Sequence, residues 1–112
     1  MSYFEDAIKA YLEKRETKYV DVEELGAEGK PLRLYYKPFT MGEMIDLRKK
    51  HADISDGEAM IDLIVRKSMD ENGQRLLTVE HKMILRLLPP DVVYKIGTPM
   101  MLTATVEDAE GN

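Results

Sequence analysis

Leu32-Arg33-Leu34-Tyr35-Tyr36-Lys37-Pro38-Phe39-Thr40-Met41-Gly42-Glu43-Met44 changes its hydrophobic period partway along, and that change decides the fold class. From Leu32 to Lys37 the pattern alternates, with Leu32, Leu34 and Tyr36 on one face and Arg33, Tyr35 and Lys37 on the other, the period of a half-buried strand. After Pro38 the signals are those of a helix start. Thr40 is placed to cap, Glu43 to reach back and close a capping box, and Phe39 to staple against Met44. The helix that follows puts Met41, Met44 and Ile45 on one face, with the Arg48 stem along it. Arg48-Lys49-Lys50 stands near the C-terminus, where the helix dipole favours cations. A strand that runs straight into a capped helix makes this an α+β chain.

Working back toward the N-terminus, Val20 and Val22 alternate with charged residues between Tyr19 and Leu25, and Gly26-Ala27-Glu28-Gly29-Lys30-Pro31 reads as a turn. The two runs form a hairpin. A hairpin alone is marginal in water, so helices must cover one of its faces. Ser2 to Glu16 is an amphipathic helix with Phe4, Ile8, Tyr11 and Leu12 as its stripe, Ser2 as cap and Glu5 closing a capping box. So short a stripe needs a partner surface to hold it.

Working forward, Ser55-Asp56-Gly57-Glu58 is a second capping box. The helix it opens carries Met60, Ile61, Leu63, Ile64, Val65 and Met69, a face wide enough for the central helix. Asp70-Glu71-Asn72-Gly73 is a turn and Leu76-Leu77 a short extended pair. Thr78 caps a further helix with Val79, Met83, Ile84, Leu87 and Leu88 at helical spacing, and Pro89-Pro90 stops it. Asp91 to Ile96 forms a last short helix with Val92, Val93 and Ile96 inward, closed by Gly97 and Pro99. The expected architecture is a mostly helical α+β domain over 1–99: an N-terminal helix at 2–16, a hairpin at 19–37, and a helical part at 40–97 with about four short helices. Residues 100–112 are expected to be a flexible tail, with Met100-Met101-Leu102 as its apolar part.

Composition narrows the function. A chain of 112 residues with 44% hydrophobic residues is sized for one domain and is not compositionally disordered. It has no cysteine, which removes disulfides, thiolate metal sites and thiol nucleophiles together and fits a reducing compartment. No apolar run is long enough for a membrane span, and the first residues lack the basic and apolar parts of a signal peptide, so the cytoplasm is the expected location. Net charge is −5 with no basic stripe, so the electrostatic drive for nucleic-acid binding is missing. The stretch 89–112 is acidic, with Lys95 against Asp91, Glu107, Asp108 and Glu110.

The constellations that could carry chemistry each fall short. If Gly73 is set at the sixth position of a calcium loop, Ser68 falls at the first and Val79 at the twelfth, so both end carboxylates are missing and Glu80 comes one place late. His51 and His81 stand far apart in charged helical segments, without the further ligands a metal needs. Ser55 is explained by capping, and the glycines match no phosphate-binding loop. The helices at 41–50 and 56–69 could suggest helix-turn-helix, but the loop between them is acidic and the second helix spends its face on apolar residues. No catalytic, cofactor or metal residues are therefore assigned. The methionine count of 8 is high. Met41, Met44, Met60, Met69 and Met83 sit on helical stripes and read as core, whereas Met100 and Met101 lie outside any stripe and suit partner contact. Tyr35 and Tyr36 face opposite sides of one strand, so one of them must lie outside the core. The candidate partner-binding residues are Tyr35, Tyr36, Phe39, Met100, Met101 and Leu102.

This order of elements resembles the tail assembly chaperones of long-tailed bacteriophages. The resemblance rests on Leu34 to Met44, a strand entering a Thr-capped helix. It rests also on Ser68 to Glu80, with its acidic-Gly turn, apolar pair and Thr cap, and on Leu87-Leu88-Pro89-Pro90-Asp91-Val92-Val93-Tyr94-Lys95-Ile96. It implies a non-enzymatic role in the host cytoplasm, binding the tape-measure protein and other tail proteins during assembly, with self-association, no cofactor, no nucleic acid and no membrane. The alternatives are a small virion component of the tail or head-tail junction and, third, an enzyme subunit with a pocket near His51 or His81.

Overall fold

Gly26 shows how local sequence sets this fold: a Cβ there would overlap the Lys30 carbonyl oxygen and come within 2.8 Å of Pro31 Cα. In the computed structural model, which describes residues 2–102, it lies in the first strand of an antiparallel hairpin, β1 (Lys18–Ala27) and β2 (Lys30–Tyr36). The turn narrows to Glu28 and Gly29, at φ 54° and 78°. Positive φ at both positions matches the twist of the flanking strands. Lys18 pairs with Tyr36, Val20 with Leu34 and Val22 with Leu32, and the register shifts between Val22 and Ala27. Val22, Leu34 and Tyr36 are buried on the inner face. On the outer face Asp21 holds Arg33 through two hydrogen bonds of 2.7 and 3.1 Å, and the guanidinium lies 3.8 Å from the centre of the Tyr19 ring.

The helices are α1 (Tyr3–Lys14), α2 (Met41–Lys50), α3 (Gly57–Lys67), α4 (His81–Leu85) and α5 (Pro90–Leu102), so the chain is α+β with one hairpin and an N-terminal helix, as its periods predict. The Thr40 capping box forms in both directions, at 3.0 and 3.1 Å. α3 is the central helix: Ala59 to Val65 are all buried. It packs against α5, whose Val92, Val93 and Ile96 face the core. Met69 lies beyond the end of α3.

Four expectations need correction. The Ser55 capping box does not form: Asp56 stands at the start of α3 without a side-chain cap, and the Ser55 hydroxyl donates to Asp53 Oδ1 at 2.6 Å. In α2 the buried residue is Leu47, while Met41 and Ile45 are exposed. The helix is rotated because Glu43 must face Lys67, whose nearly buried ammonium it holds at 3.0 Å; burying Lys67 unpaired would cost several kcal/mol, by order of magnitude about 3–5. α4 is shorter than predicted and begins at His81. Thr78 does not cap it through its own side chain; the His81 Nδ1 accepts the Thr78 N–H at 2.9 Å, and Glu80 stands at the cap. Finally, Gly97 and Pro99 do not end α5, and the flexible tail does not begin at residue 100. Gly97 lets α3 approach, since a Cβ there would lie 2.8 Å from Met60 Sδ. Proline inside a helix costs about 3 kcal/mol, and burial of one methionine offsets about 1.5–3 kcal/mol of that. Met100 is 0% exposed and Met101 packs against the same core.

Candidate protein-interaction surface

The candidate surface is built where the chain returns to the hairpin after α3. Met69 exchanges backbone hydrogen bonds with Tyr35, at 3.0 and 2.7 Å, and also bridges to Arg75. Between them Asp70 turns the chain: its carboxylate accepts the N–H groups of Asn72 and Gln74 at 2.8 and 3.0 Å, and Gly73 adopts φ 81°. The Asp70 carboxylate is thus committed to its own loop. This bridge sets Leu76 and Leu77 beside the hairpin, and α4 follows directly.

Together these elements enclose a groove of about 190 Å³. Leu25, Leu32 and Leu34 come from the hairpin, Leu76 and Leu77 from the returning chain, Ile84, Leu85 and Leu88 from α4 and its C-terminal turn, and Ile64 and Ile96 from the floor. His81 is the only polar residue in the lining, and its Nδ1 is occupied by the Thr78 N–H. Outside the groove Val79, Met83 and Leu87 are exposed, Leu87 at 81%. Large contiguous apolar patches on a monomer's surface commonly mark binding sites, whereas single exposed apolar residues do not.

α1 is the second apolar surface. It buries no residue, and Tyr3, Phe4, Ile8, Tyr11 and Leu12 are exposed, Tyr3 at 90%. Its base is fixed by Arg15, whose Nη1 donates to the Pro38 carbonyl at 3.2 Å.

A larger recess of about 340 Å³ lies between the start of α3 and α5. Several of its polar groups pair within the chain: Arg86 pairs with Glu58 at 2.8 Å, and the Tyr94 hydroxyl donates to the Ser55 carbonyl at 2.9 Å. Under α2, Asp62 is buried and accepts from His51 Nε2 at 3.1 Å and Arg66 Nε at 2.9 Å, with Lys82 Nζ at 3.4 Å. Burial alone would push its carboxyl up. The hydrogen bonds from Arg66 and His51, with the nearby Arg66 and Lys82 charges, outweigh that and hold it at about 2. Glu43 is likewise pushed up by burial but held below the usual carboxylate range by Lys67 and the Thr40 N–H. Among the described residues no group of three or more His, Cys, Asp and Glu side chains is arranged to hold a metal ion. No described helix is long and apolar enough to cross a membrane.

The sequence candidates are dispersed rather than gathered. Tyr36, Phe39 and Met100 are core residues, which corrects their assignment to a partner surface. Tyr36 is on the buried face of the hairpin, Phe39 packs at the entry to α2, and Met100 lies where α5 continues past its proline. Tyr35 is half-buried, its ring 6.0 Å from that of Tyr19 and its backbone tied to Met69. Met101 is half-buried against the core. Leu102 is the last residue of α5, its side chain lies outside the described part, and so do residues 103–112 of the expected tail.

In the sequence no motif marks the groove residues Leu25, Leu32, Ile84 and Leu88 as a site, and Met83 reads as core, with Val79 and Leu87 at the same helical spacing; the structure leaves all three exposed. One signal was present. Val79 to Leu88 holds more apolar residues than one short helix can bury on one face. Comparison with known protein families, with curated proteins and with solved structures gives no match to this chain.

Proposed function

We propose that this chain is a non-enzymatic assembly chaperone that holds apolar helical segments of a long partner, as a phage tail assembly chaperone holds the tape-measure protein in the host cytoplasm. The observation that carries the reading is the groove lined by leucine and isoleucine. A groove of this kind takes an amphipathic helix through anchors three and four residues apart. Each such contact is weak, and many copies along one long chain gain affinity by avidity. The sequence resemblance in Leu34–Met44, Ser68–Glu80 and Leu87–Ile96 supports the same reading.

The test is capture of tagged chain from cells that co-express neighbouring phage tail genes. The expected result is recovery of a long helical tape-measure protein, loss of that recovery in Ile84→Glu, and absence of the chain from finished particles. Retention in particles together with tail or connector proteins would replace the chaperone with a virion component.

A further inference from the structure

Arg15 stands where α1 passes into β1. Its Nη1 donates to the Pro38 carbonyl at 3.2 Å, and its Nε–H, buried beside that bond, meets no acceptor. A buried donor left unmet is costly, and native structures nearly always supply it with a partner. Arg15 borders a recess of about 270 Å³, walled also by Tyr11, Lys14, Glu16, Lys18 and Pro38. Three cations thus meet one acid, in a chain whose net charge is −5. Lys14 and Lys18 enter no ion pair among the described residues. The Tyr11 ring and Pro38 give the recess an apolar side, which strengthens any charge pair formed against it. Such a recess suits clustered carboxylates. A guanidinium takes a carboxylate through two parallel N–H groups, and flanking ammonium groups add to the attraction.

The chain holds a matching segment. Residues 103–112 carry Glu107, Asp108 and Glu110 and no Lys or Arg. They follow α5, and α5 ends on the recess side of the fold. It runs beside α3 in the same direction: the Tyr94 hydroxyl reaches the Ser55 carbonyl just before α3, and Gly97 abuts Met60 and Ile64. α3 in turn ends at Lys67, whose ammonium holds Glu43 in the first turn of α2, just past Pro38. Met100 shares its core with Tyr36 and Phe39, which flank Lys37-Pro38. Glu107 lies five residues beyond Leu102, a span of up to roughly 17 Å.

We propose that the recess formed by Lys14, Arg15 and Lys18 is a carboxylate-binding site, and that Glu107, Asp108 and Glu110 of the same chain occupy it. A tether this short holds the acids at an effective concentration of millimolar order, so a contact too weak to retain a free peptide persists. The groove beside α4 takes no part in it.

The chain has no cysteine, so Ala109→Cys gives the full chain a single position for a nitroxide label. In amide-resolved NMR the expected result is loss of signal from Tyr11 to Lys18, with the hairpin turn at Glu28-Gly29 and α4 unaffected. That loss is expected to vanish in Lys14→Glu/Lys18→Glu and, separately, in Glu107→Gln/Asp108→Asn/Glu110→Gln, with circular dichroism to confirm folding. It is also expected to fade in about 1 M salt, where charges are screened beyond ~3 Å. Without the label, the Arg15 Nε–H signal should shift when the three acids are neutralised.

Equal signal at Tyr11 to Lys18 with and without the label, or a loss that survives either variant, would overturn the proposal. So would a loss at the recess when label and isotope sit on different copies, which would assign the contact to a second copy. Shifts at Lys14 to Lys18 on adding polyglutamate, with no contact from the chain's own label, would pass the recess to an acidic partner instead.

Discussion

Asp62 is the residue on which the polar interior depends. It is buried and gathers His51, Arg66 and Lys82 around one carboxylate. Removing one member of such a buried group costs about 3–5 kcal/mol, and Asp62→Asn is expected to fall near the lower end because Arg66 and Lys82 keep partial solvent access. Its folded pKa, about 2, lies below the ordinary value of 3.8. The sign follows: the stabilisation is complete above about pH 4 and is lost as pH falls toward 2, amounting to about 2 kcal/mol. Urea unfolding at pH 6, 4 and 2.5 should show this loss in the wild type and a flatter dependence in Asp62→Asn.

Two glycines give a contrast at the same scale. At Gly26 the obstacle is the Lys30 and Pro31 backbone, so Gly26→Ala should cost about 1–3 kcal/mol. At Gly97 it is the flexible end of Met60, and helix propensity returns up to about 1 kcal/mol, so Gly97→Ala should change stability by less than about 1 kcal/mol. Equal costs in thermal melts would contradict this account.

At the scale of elements, α5 and α1 behave oppositely. The end of α5 lies in the core, so Met100→Ala should destabilise by about 2–5 kcal/mol. In a flexible tail the same change would be silent, and chemical denaturation separates the two cases. α1 has a good cap, with Ser2 Oγ accepting the Glu5 N–H at 3.1 Å, yet it buries nothing. Deleting residues 2–14 should therefore move the unfolding midpoint of the remaining chain by less than about 1 kcal/mol. A larger loss would mean that α1 packs on its own domain.

At the scale of the whole molecule, the radius of gyration is 15.2 Å and the longest extent 47 Å, against about 13 Å expected for a compact chain of this length. α1, which buries no residue, lies outside the core. The same outline leaves apolar surface on α1 and around α4 that a lone monomer does not need. Leu87→Lys, at a residue 81% exposed, should leave the melting temperature within about 1–2 °C. A drop of many degrees would place Leu87 in the core after all.

The sequence by itself determined the hairpin, the Thr40 box, the central helix and the α+β class. In each case the signal is local: a period of two, a cap three residues from its partner, or an apolar face wide enough to admit one reading. Tertiary structure alone decided which of two apolar stripes a short helix buries. Met83 reads as core because it shares helical spacing with Val79 and Leu87, but α4 buries Leu85 and leaves these three exposed. The rotation of α2 toward Leu47 depended on Lys67, a residue 24 positions from Glu43. The extension of α5 past Pro99 depended on the burial of Met100, whose stabilisation comes from residues distant in the chain and can offset a local penalty that periodicity alone counts as final.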